Sequence, residues 1–567
     1  MLSYKDAYVA MRRHEQWIRS RLEHSEPVVV VAYLSSNTVD MFLSVLACTD
    51  LAHHQRQQRA QATVALLNTR WTTAEIVSAL NTKSGRTLLL YGEGFREKAS
   101  ECADRLGGLS SIAAIPKLSN TFLRFYCHGC NNQHHLSDWL QHKTDSPVEK
   151  EIQAMSHHTR RSKMAPGRVP DEDALIVFTS GTTGGAKGVR LGHKALWIQA
   201  LAKLCRPCGY DRLTKMLATT VPLFHVGGLS STLAVFLAGG TWILPETTTT
   251  TTTTGGAGSR NSFNPTQVCK CLLHSTVAPN TLVVVPAMLH ALLQAIQETA
   301  TTTTVFPQVR LLLIGGQSVS STMVRRVVQH FPNARIVQTY ACTEAASSLT
   351  FHEVQRQGKV PPTPIAGDCV GLPPSHVDLQ LYKNNDDDKD KEKWQPIKEP
   401  WQIGVFGTRG PHIMNGYWSR DGRLDPTDLV VTNDLGFRDE RGRFYFCGRV
   451  KDVIRTGGET VLASEVERVL LGHPTVSECA VFALPDDRFG ETVCVAIVPT
   501  AAAASSLLSL THLRRYCGEQ GLATYKRPRR VFCVNALPRN SSGKVLKHIL
   551  VERFKHGERG TAIQSRL

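Results

Sequence analysis

The chain has 567 residues, of which 42% are apolar and 20% charged, a composition that excludes wholesale disorder, collagen and a coiled coil. Lysines and arginines outnumber acids 65 to 48, and the resulting formal charge of +17 favours anionic partners such as nucleotides and coenzymes. The basic residues are dispersed with no polybasic block, so nucleic acid is not an expected partner, and no apolar run approaches the roughly 18 residues of a transmembrane helix. The fifteen cysteines are odd in number and irregular in spacing, which reads as free thiols in a reducing compartment.

In chain order, Ala10, Met11, Trp17, Ile18 and Leu22 share one face of an amphipathic helix. Asp6, Glu15 and Glu23 make it unlike an organelle presequence. Apolar runs predict strands over Val28–Tyr33, Thr63–Asn68, Thr87–Tyr91, Leu175–Thr179, Leu282–Val285, Arg310–Ile314 and Arg335–Thr339. Helical stretches alternate with them, which predicts an α/β fold with ligands at the carboxyl ends of the strands. Cys127 and Cys130, followed by His134 and His135, form a possible zinc half-site but have no second pair at finger spacing; an inserted loop is the simpler reading. Thr247–Thr254, Thr301–Thr304, Asn384–Lys393 and Ala501–Ser506 are low-complexity tracts expected on the surface. The chain reads Ser565-Arg566-Leu567 at its end, similar to the peroxisomal Ser-Lys-Leu address. A peroxisomal location and an import receptor as partner are expected from it, with plastid and cytoplasm as alternatives.

The segment Thr179-Ser180-Gly181-Thr182-Thr183-Gly184-Gly185-Ala186-Lys187-Gly188 directly follows a predicted strand. Its glycines let backbone N–H groups close on an anion, its hydroxyls add donors, and Lys187 adds a point charge. It reads as a polyphosphate loop. It is not a Walker A loop, because Gly188 stands where Ser or Thr must follow the lysine.

That segment resembles the phosphate loop of the adenylate-forming superfamily, which comprises acyl-CoA synthetases, luciferases and peptide-synthetase adenylation domains. Further blocks follow in the family's order. They are Pro222–Leu229 around His225, Gly315-Gly316-Gln317, Gln338–Glu344 with Tyr340 and Thr343, and Gly410–Trp418. Asn433–Gly436, Gly448–Asp452, Gly457-Gly458-Glu459 and Pro538–Lys544 complete the set. The resemblance implies a large N-terminal region of packed αβ subdomains plus a distorted β-barrel (1–450) and a small mobile α+β domain (451–567). It also implies ATP, Mg²⁺ and CoA: a carboxylate attacks the α-phosphate of ATP, and CoA thiol then displaces AMP from the acyl-adenylate.

The resemblance assigns Mg²⁺ to Glu344 and Thr183, phosphate contacts to Thr183 and Thr343, and adenine to Gly315–Gln317. Asp434 would take the ribose hydroxyls, with support from Arg449. Lys544 would reach the carboxylate and α-phosphate during adenylation. Lys451 is the expected hinge, about which Gly458 and Glu459 arrive for the second half-reaction, and His225 is expected to gate the acyl pocket. Taken singly, Glu344 also fits a helix N-terminal acid, Asp434 a turn residue, His225 a core histidine and Lys544 a solvated lysine. The sequence departs from the family at Ala186, Ala341 and Asn433, where Pro, Gly and Gly are usual.

Leu67–Trp71, His225–Ser230, Gln338–Tyr340 and Ala345–Ser348 resemble the o-succinylbenzoate–CoA ligases of quinone synthesis. Ser230, Ser347 and Ser348 are then candidates to hold the carboxylate that does not react. Medium-chain fatty acid, coumarate-like and short dicarboxylate ligases stay open. So do a luciferase-like non-ligating relative and an adenylation protein serving a carrier.

Overall fold

The computed structural model describes residues 4–22, 28–34, 41, 44–45, 63–69, 71–80, 86–92, 95–106, 110–114, 173–180, 186–218, 221–244, 263–275, 277–299, 304–317, 319, 321–354, 368–384, 394–418, 424, 428–500, 509–539 and 545–555. The Cys127/Cys130 segment, the octathreonine tract, residues 181–185, Lys544 and the last three residues lie outside them. The chain divides into two compact units. One comprises Met1–Leu201, Met216–Phe263 and His412–Asp425, and the other comprises Ala202–Lys215, Asn264–Pro411 and Pro426–Leu567.

The first unit begins with helix α1 (Tyr4–Leu22). It is built on a seven-stranded sheet of β1 (Val28–Leu34), β2 (Thr63–Leu66), β3 (Arg86–Tyr91), β4 (Ser110–Ala114), β5 (Asp173–Ser180), β6 (Ala186–Gly192) and β17 (Gly416–Tyr417). The strand order is β17-β6-β5-β2-β1-β3-β4. The run from β5 to β4 is parallel, as apolar strands alternating with helices α2 (Thr73–Leu80) and α3 (Arg96–Leu106) require, whereas β6 and β17 are antiparallel additions. Thr72 and Glu75 form a reciprocal capping box that starts α2. Lys98 of α3 donates to the carbonyls of Thr69 and Trp71, which pins the Leu67–Trp71 block at the end of β2. Trp71, Ile76, Leu89, Ile176, Phe178 and Trp418 meet in one core.

The second unit holds a parallel run, β9 (Thr281–Val284), β10 (Leu311–Gly315) and β11 (Arg335–Cys342), edged by antiparallel β12 (Ser347–Val354). An antiparallel sheet follows, of β13 (Asp368–Gly371), β14 (Asp378–Asn384), β15 (Trp394–Ile397), β16 (Gly404–Arg409), β18 (Val430–Arg438) and β19 (Phe444–Arg449). Its order is β13-β19-β18-β16-β14-β15, in the region where a distorted barrel is expected. The Phe351–Leu372 bridge joins β12 to the start of this sheet. Gly436 lies on β18 between β16 and β19, where a Cβ would sit 2.3 Å from both the Phe406 ring and the Tyr445 carbonyl.

The last sheet contains β20 (Val453–Thr456), β21 (Glu459–Leu462), β22 (Val476–Asp486), β23 (Gly490–Pro499) and β24 (Arg530–Cys533). Its alternation is regular. Val481, Val493, Val495 and Ile497 pack in one cluster with residues of Ala463–Leu471 and Leu510–Glu519, the helices on one face. Phe482, Leu484, Cys494 and Ala496 pack with Leu550 and Phe554 of the Lys547–Lys555 helix on the other. This is the small α+β part that the resemblance implies.

The predicted strands all form, most shifted by one or two residues. One correction concerns the phosphate loop: Ala186, Lys187 and Gly188, read above as loop, open strand β6 instead. No described helix is long and apolar enough to cross a membrane, and the twelve described cysteines are free. Gly436→Ala should cost about 2–3 kcal/mol, because the clash includes a backbone carbonyl that cannot rotate away. A lowered thermal midpoint checks this, and an unchanged one would contradict the packing.

Candidate active site

The sequence-predicted residues fall into two groups, one in each unit. In the first, β5 and β6 form a hairpin with Thr179 opposite Lys187 and Ser180 opposite Ala186. Residues 181–185, which include Gly181, Thr182, Thr183 and Gly184, connect the two strands outside the described set. Lys187 therefore stands on a strand fixed by its ladder, its carbonyl accepting from Thr179 Oγ1 at 3.4 Å. Its Nζ lies 5.8 Å from the centre of the Tyr417 ring.

The hairpin is held by a segment more than 220 residues away. Tyr417 pairs with Val189 and Gly416 with Arg190. Trp418 N donates to the Gly188 carbonyl and Asn415 N to that of Arg190, each at 2.8 Å. Arg190 Nη2 returns a bond to the Asn415 carbonyl at 2.9 Å, and Asn415 Nδ2 donates to Asp173 Oδ1 at 2.8 Å. A Cβ at Gly188 would meet Trp418 Cβ at 2.9 Å, so the glycine lets the tryptophan close on the hairpin. The Gly-Tyr-Trp block thus braces the β5–β6 hairpin.

His225 caps α5 (Val226–Ala238) in extended conformation, with its ring 4.7 Å from that of Phe224. A Cβ at Gly228, one turn on, would lie 2.5 Å from the Pro222 carbonyl. That close approach is what the second glycine of His225-Val226-Gly227-Gly228 permits.

In the second unit, Gly315 ends β10 opposite Thr339 of β11. Gly316 follows at φ +85°, a conformation open to glycine, and Gln317 is exposed. Tyr340, Thr343 and Glu344 come next along the neighbouring strand, with Thr343–Ala345 in a 3₁₀ turn. The residues of both blocks thus stand at the carboxyl ends of parallel strands, as the topology predicts. Burial and the Glu344 carboxylate push the Cys342 thiol well above its usual range, which disfavours the thiolate.

Asp434 and Arg449 are paired across β18 and β19. The Asp434 side chain accepts from Tyr340 OH on Oδ2 at 2.9 Å, and Arg449 Nε lies 3.2 Å from Oδ1. Thr432 Oγ1 accepts from Asp434 N at 3.3 Å and donates to the Phe406 carbonyl. Burial, reinforced by Asp434, pushes the Tyr340 phenol well above its usual range, which keeps it a donor. Asn433 takes φ +60°, which turns the chain so that Asp434 points inward. Asparagine tolerates this left-handed region better than other non-glycine residues, which explains the departure from glycine.

Lys451 is exposed in the 3₁₀ turn Val450–Asp452. Gly457 and Gly458, at φ +60° and +81°, are the two central residues of the β20–β21 hairpin, with Thr456 paired to Glu459. This is a type I′ turn, in which both residues need positive φ. Lys544 lies outside the described residues, but the Arg539–Val545 bridge closes the base of its loop. Arg539 in turn is anchored to Glu478 at 2.8 Å. A groove of about 540 Å³, lined by residues including Leu372, Ile397, Arg438 and Phe444, contains none of the predicted residues.

The donor set fits a nucleotide. Gly315 and Gly316 end a strand beside the one that carries Tyr340, and Tyr340 with Arg449 holds a buried carboxylate. For Mg²⁺, Glu344 offers one carboxylate and the described residues contain no three-acid cluster. That suits an ion held by one or two carboxylates and substrate phosphates. Sequence reasoning did not foresee Thr432, the brace of Arg190, Asp173 and Asn415, or the buried Lys203. Lys203 was unreadable because a lysine on a helix is ordinarily solvated.

Comparison with known proteins gives the family. The profile of the AMP-binding enzymes matches residues 1–418, and that of the AMP-binding enzyme C-terminal domain matches residues 465–544. A 2-succinylbenzoate–CoA ligase of Arabidopsis thaliana, chloroplastic/peroxisomal by name, is 32% identical over 403 residues, covering 66% of each chain. An oxalate–CoA ligase of the same plant is 26% identical over 535 residues, covering 93% of this chain and 89% of its own. Among solved structures, the o-succinylbenzoate–CoA synthetase of Bacillus subtilis with its acyl-adenylate superposes with a TM-score of 0.68 at 22% identity, covering 97% of this chain and 93% of that one. This similarity is one of fold.

Replacing Asn433 by Val should cost about 1–3 kcal/mol, since a β-branched residue is strained at φ +60°. Asn433→Gly should melt within a degree or two of wild type. Equal melting of the two variants would show that the backbone does not need this conformation.

Proposed function

The chain belongs to the family of AMP-binding enzymes, and we propose that it is an acid–CoA ligase acting on o-succinylbenzoate. The observation that carries the substrate is the 32% identity to a 2-succinylbenzoate–CoA ligase. The oxalate–CoA ligase covers more of the chain but at lower identity.

In this reading Thr179–Gly184 and Lys187 grip the phosphates of ATP. Backbone donors and the lysine charge neutralise the oxygens as the pentavalent transition state forms. Asp434 accepts from the ribose hydroxyls, and the phenol of Tyr340 and guanidinium of Arg449 keep it oriented. Glu344 and Thr183 would hold Mg²⁺, which supplies charge neutralisation between phosphate oxygens. Lys544 places its ammonium between the attacking carboxylate and the α-phosphate. The acid's carboxylate oxygen bonds to phosphorus as pyrophosphate leaves. CoA sulfur then bonds to the acyl carbon as AMP leaves, and the thiol proton passes to solvent.

For that second step, residues 451–567 turn about Lys451, which its exposed 3₁₀ turn favours. The rigid Gly457-Gly458 turn, with Glu459 beside it, replaces Lys544. His225 gates the acyl end, and Gly315–Gln317 and Thr343 flank the nucleotide. A peroxisomal or plastid location is supported by the Arabidopsis relative's name. Blocking Ser565–Leu567 with a fused tag should redirect a peroxisomal protein to the cytosol, and unchanged peroxisomal import would remove the tripeptide from this role.

AMP release is the test of the chemistry. With ATP, CoA and o-succinylbenzoate, octanoate, coumarate, malonate or oxalate in turn, the fastest turnover should come with o-succinylbenzoate. Lys544→Ala should lower adenylation by about 10²–10³-fold. Tyr340→Phe should raise the KM for ATP by about five- to tenfold, the worth of one hydrogen bond to a charged group. Preference for octanoate or coumarate would keep the ligase and discard the substrate. AMP release that needs no CoA would discard the ligase.

A further inference from the structure

The Gly457-Gly458 turn is the tip of a short hairpin at the margin of its sheet. β20 and β21 are four residues each, β21 is the edge strand, and the ladder from β20 to β23 consists of Thr456 opposite Gly490. A type I′ turn fixes the local path of the chain, but not the direction in which so short a hairpin points. A Cβ at Gly458 would meet nothing within 4 Å, so the tip stands clear of the described residues.

The direction is set from behind the turn. Gly457 N donates to the Phe489 carbonyl at 2.8 Å, and a Cβ at Gly457 would lie 3.4 Å from Phe489 Cδ1, so the ring backs onto the turn. Phe489 is placed by Asp486, whose Oδ1 accepts from the N–H groups of Arg488 and Phe489, each at 3.1 Å. The Arg529 guanidinium lies 4.1 Å from the centre of the Phe489 ring, and Arg488 approaches the same ring at 5.1 Å. Arg529 Nη1 also donates to Thr456 Oγ1 at 2.9 Å, and Thr456 is itself buried. The Arg529 backbone is fixed in turn, with its N–H donating to the Val493 carbonyl of β23 at 2.8 Å. Lower on the hairpin, Arg455 N donates to Glu491 Oε2 at 2.6 Å. One arginine thus ties the residue before the glycine pair, and the ring behind it, to the middle strand of the sheet. A planar guanidinium can lie over a ring and donate sideways at once, which an ammonium does less well.

Resting on the reading above, in which this turn replaces Lys544 for the second half-reaction, we propose that Phe489 and Arg529 are positioning residues for thioester formation. They hold the Gly457-Gly458 turn at the angle it presents to that step. They take no part in adenylation, for which Lys544 is the residue supplied by this part of the chain.

The test separates the two half-reactions in the full-length enzyme, with whichever acid of the panel turns over fastest. Adenylation is read as pyrophosphate released in a single turnover without CoA. Thioester formation is read as acyl-CoA appearing when CoA is added to the enzyme-bound acyl-adenylate. Phe489→Ala and Arg529→Gln should slow the second step about tenfold and leave the first within about twofold, as a displaced catalytic turn would. Phe489→Tyr keeps the ring and should restore the rate. Arg529→Lys keeps a charge over the ring without the fork and should restore it in part. Hydrogen exchange over residues 455–460 should quicken in both slow variants, a readout independent of turnover.

Gly458→Val tests the role of the turn itself, since φ +81° is closed to a β-branched residue. If it slows thioester formation while the Phe489 and Arg529 variants do not, the clamp is overturned and the role of the turn stands. If it leaves thioester formation at the wild-type rate, the turn has no part in that step and the clamp falls with it. Equal losses in both half-reactions would show that Phe489 and Arg529 serve stability alone, which also overturns the assignment. Should Arg529→Gln not fold, Phe489→Ala and its tyrosine counterpart decide.

Discussion

The Asp434 carboxyl is held where only 6% of the residue reaches water, and much of the second unit is arranged around that fact. A carboxylate so placed must be met by donors, or it will pick up a proton. The donors come from two different sheets. Tyr340 reaches it from the parallel run, and Arg449 stands opposite it on the antiparallel one. The bond therefore fixes the end of β11 against β18, and with it the position of the Thr343–Ala345 turn that follows. Asn433 and Gly436 on either side are what the backbone needs to bring the carboxylate in: one turns left-handed, the other lets Phe406 and Tyr445 press close.

The same economy of parts recurs in the first unit. The β5–β6 hairpin is firm at the two strand ends that flank residues 181–185. The firmness comes from the β5–β6 ladder and from a two-residue strand that closes over it, with Trp418 packed where Gly188 leaves room. The Tyr and Trp of that block act on the hairpin by pairing and packing. They set where Thr179 and Lys187 stand.

Much of this was legible before any coordinates. The β-branched apolar runs at Val28, Leu282 and Leu311 could hardly be anything but buried strands, and the motif residues stand at strand ends where such folds place ligands. Strand β6 was not legible, because Ala186-Lys187-Gly188 has the composition of a loop and becomes a strand only by pairing with β5 and β17. The partnership of Tyr340 with Asp434, 94 residues apart, was invisible for the same reason: one sequence gives local preference, not remote pairing. Lys203 failed differently. Hydropathy puts every lysine in water, and only the tertiary structure shows one kept out of it. The Gly457-Gly458 pair was read for function, yet its positive φ angles give the glycines a geometric reason to be there whatever else they do.

The bracing of the phosphate loop by Asn415–Trp418 also bears on how the protein is made. Arg190 and Asn415, bonded to each other, are 225 positions apart. Contacts at such separation form late, because the intervening chain must first be ordered. During synthesis the β5–β6 hairpin emerges long before its brace, and the loop has firm ends only after Trp418 has left the ribosome. A nascent chain therefore carries the β5–β6 hairpin through most of its synthesis without the segment that holds it.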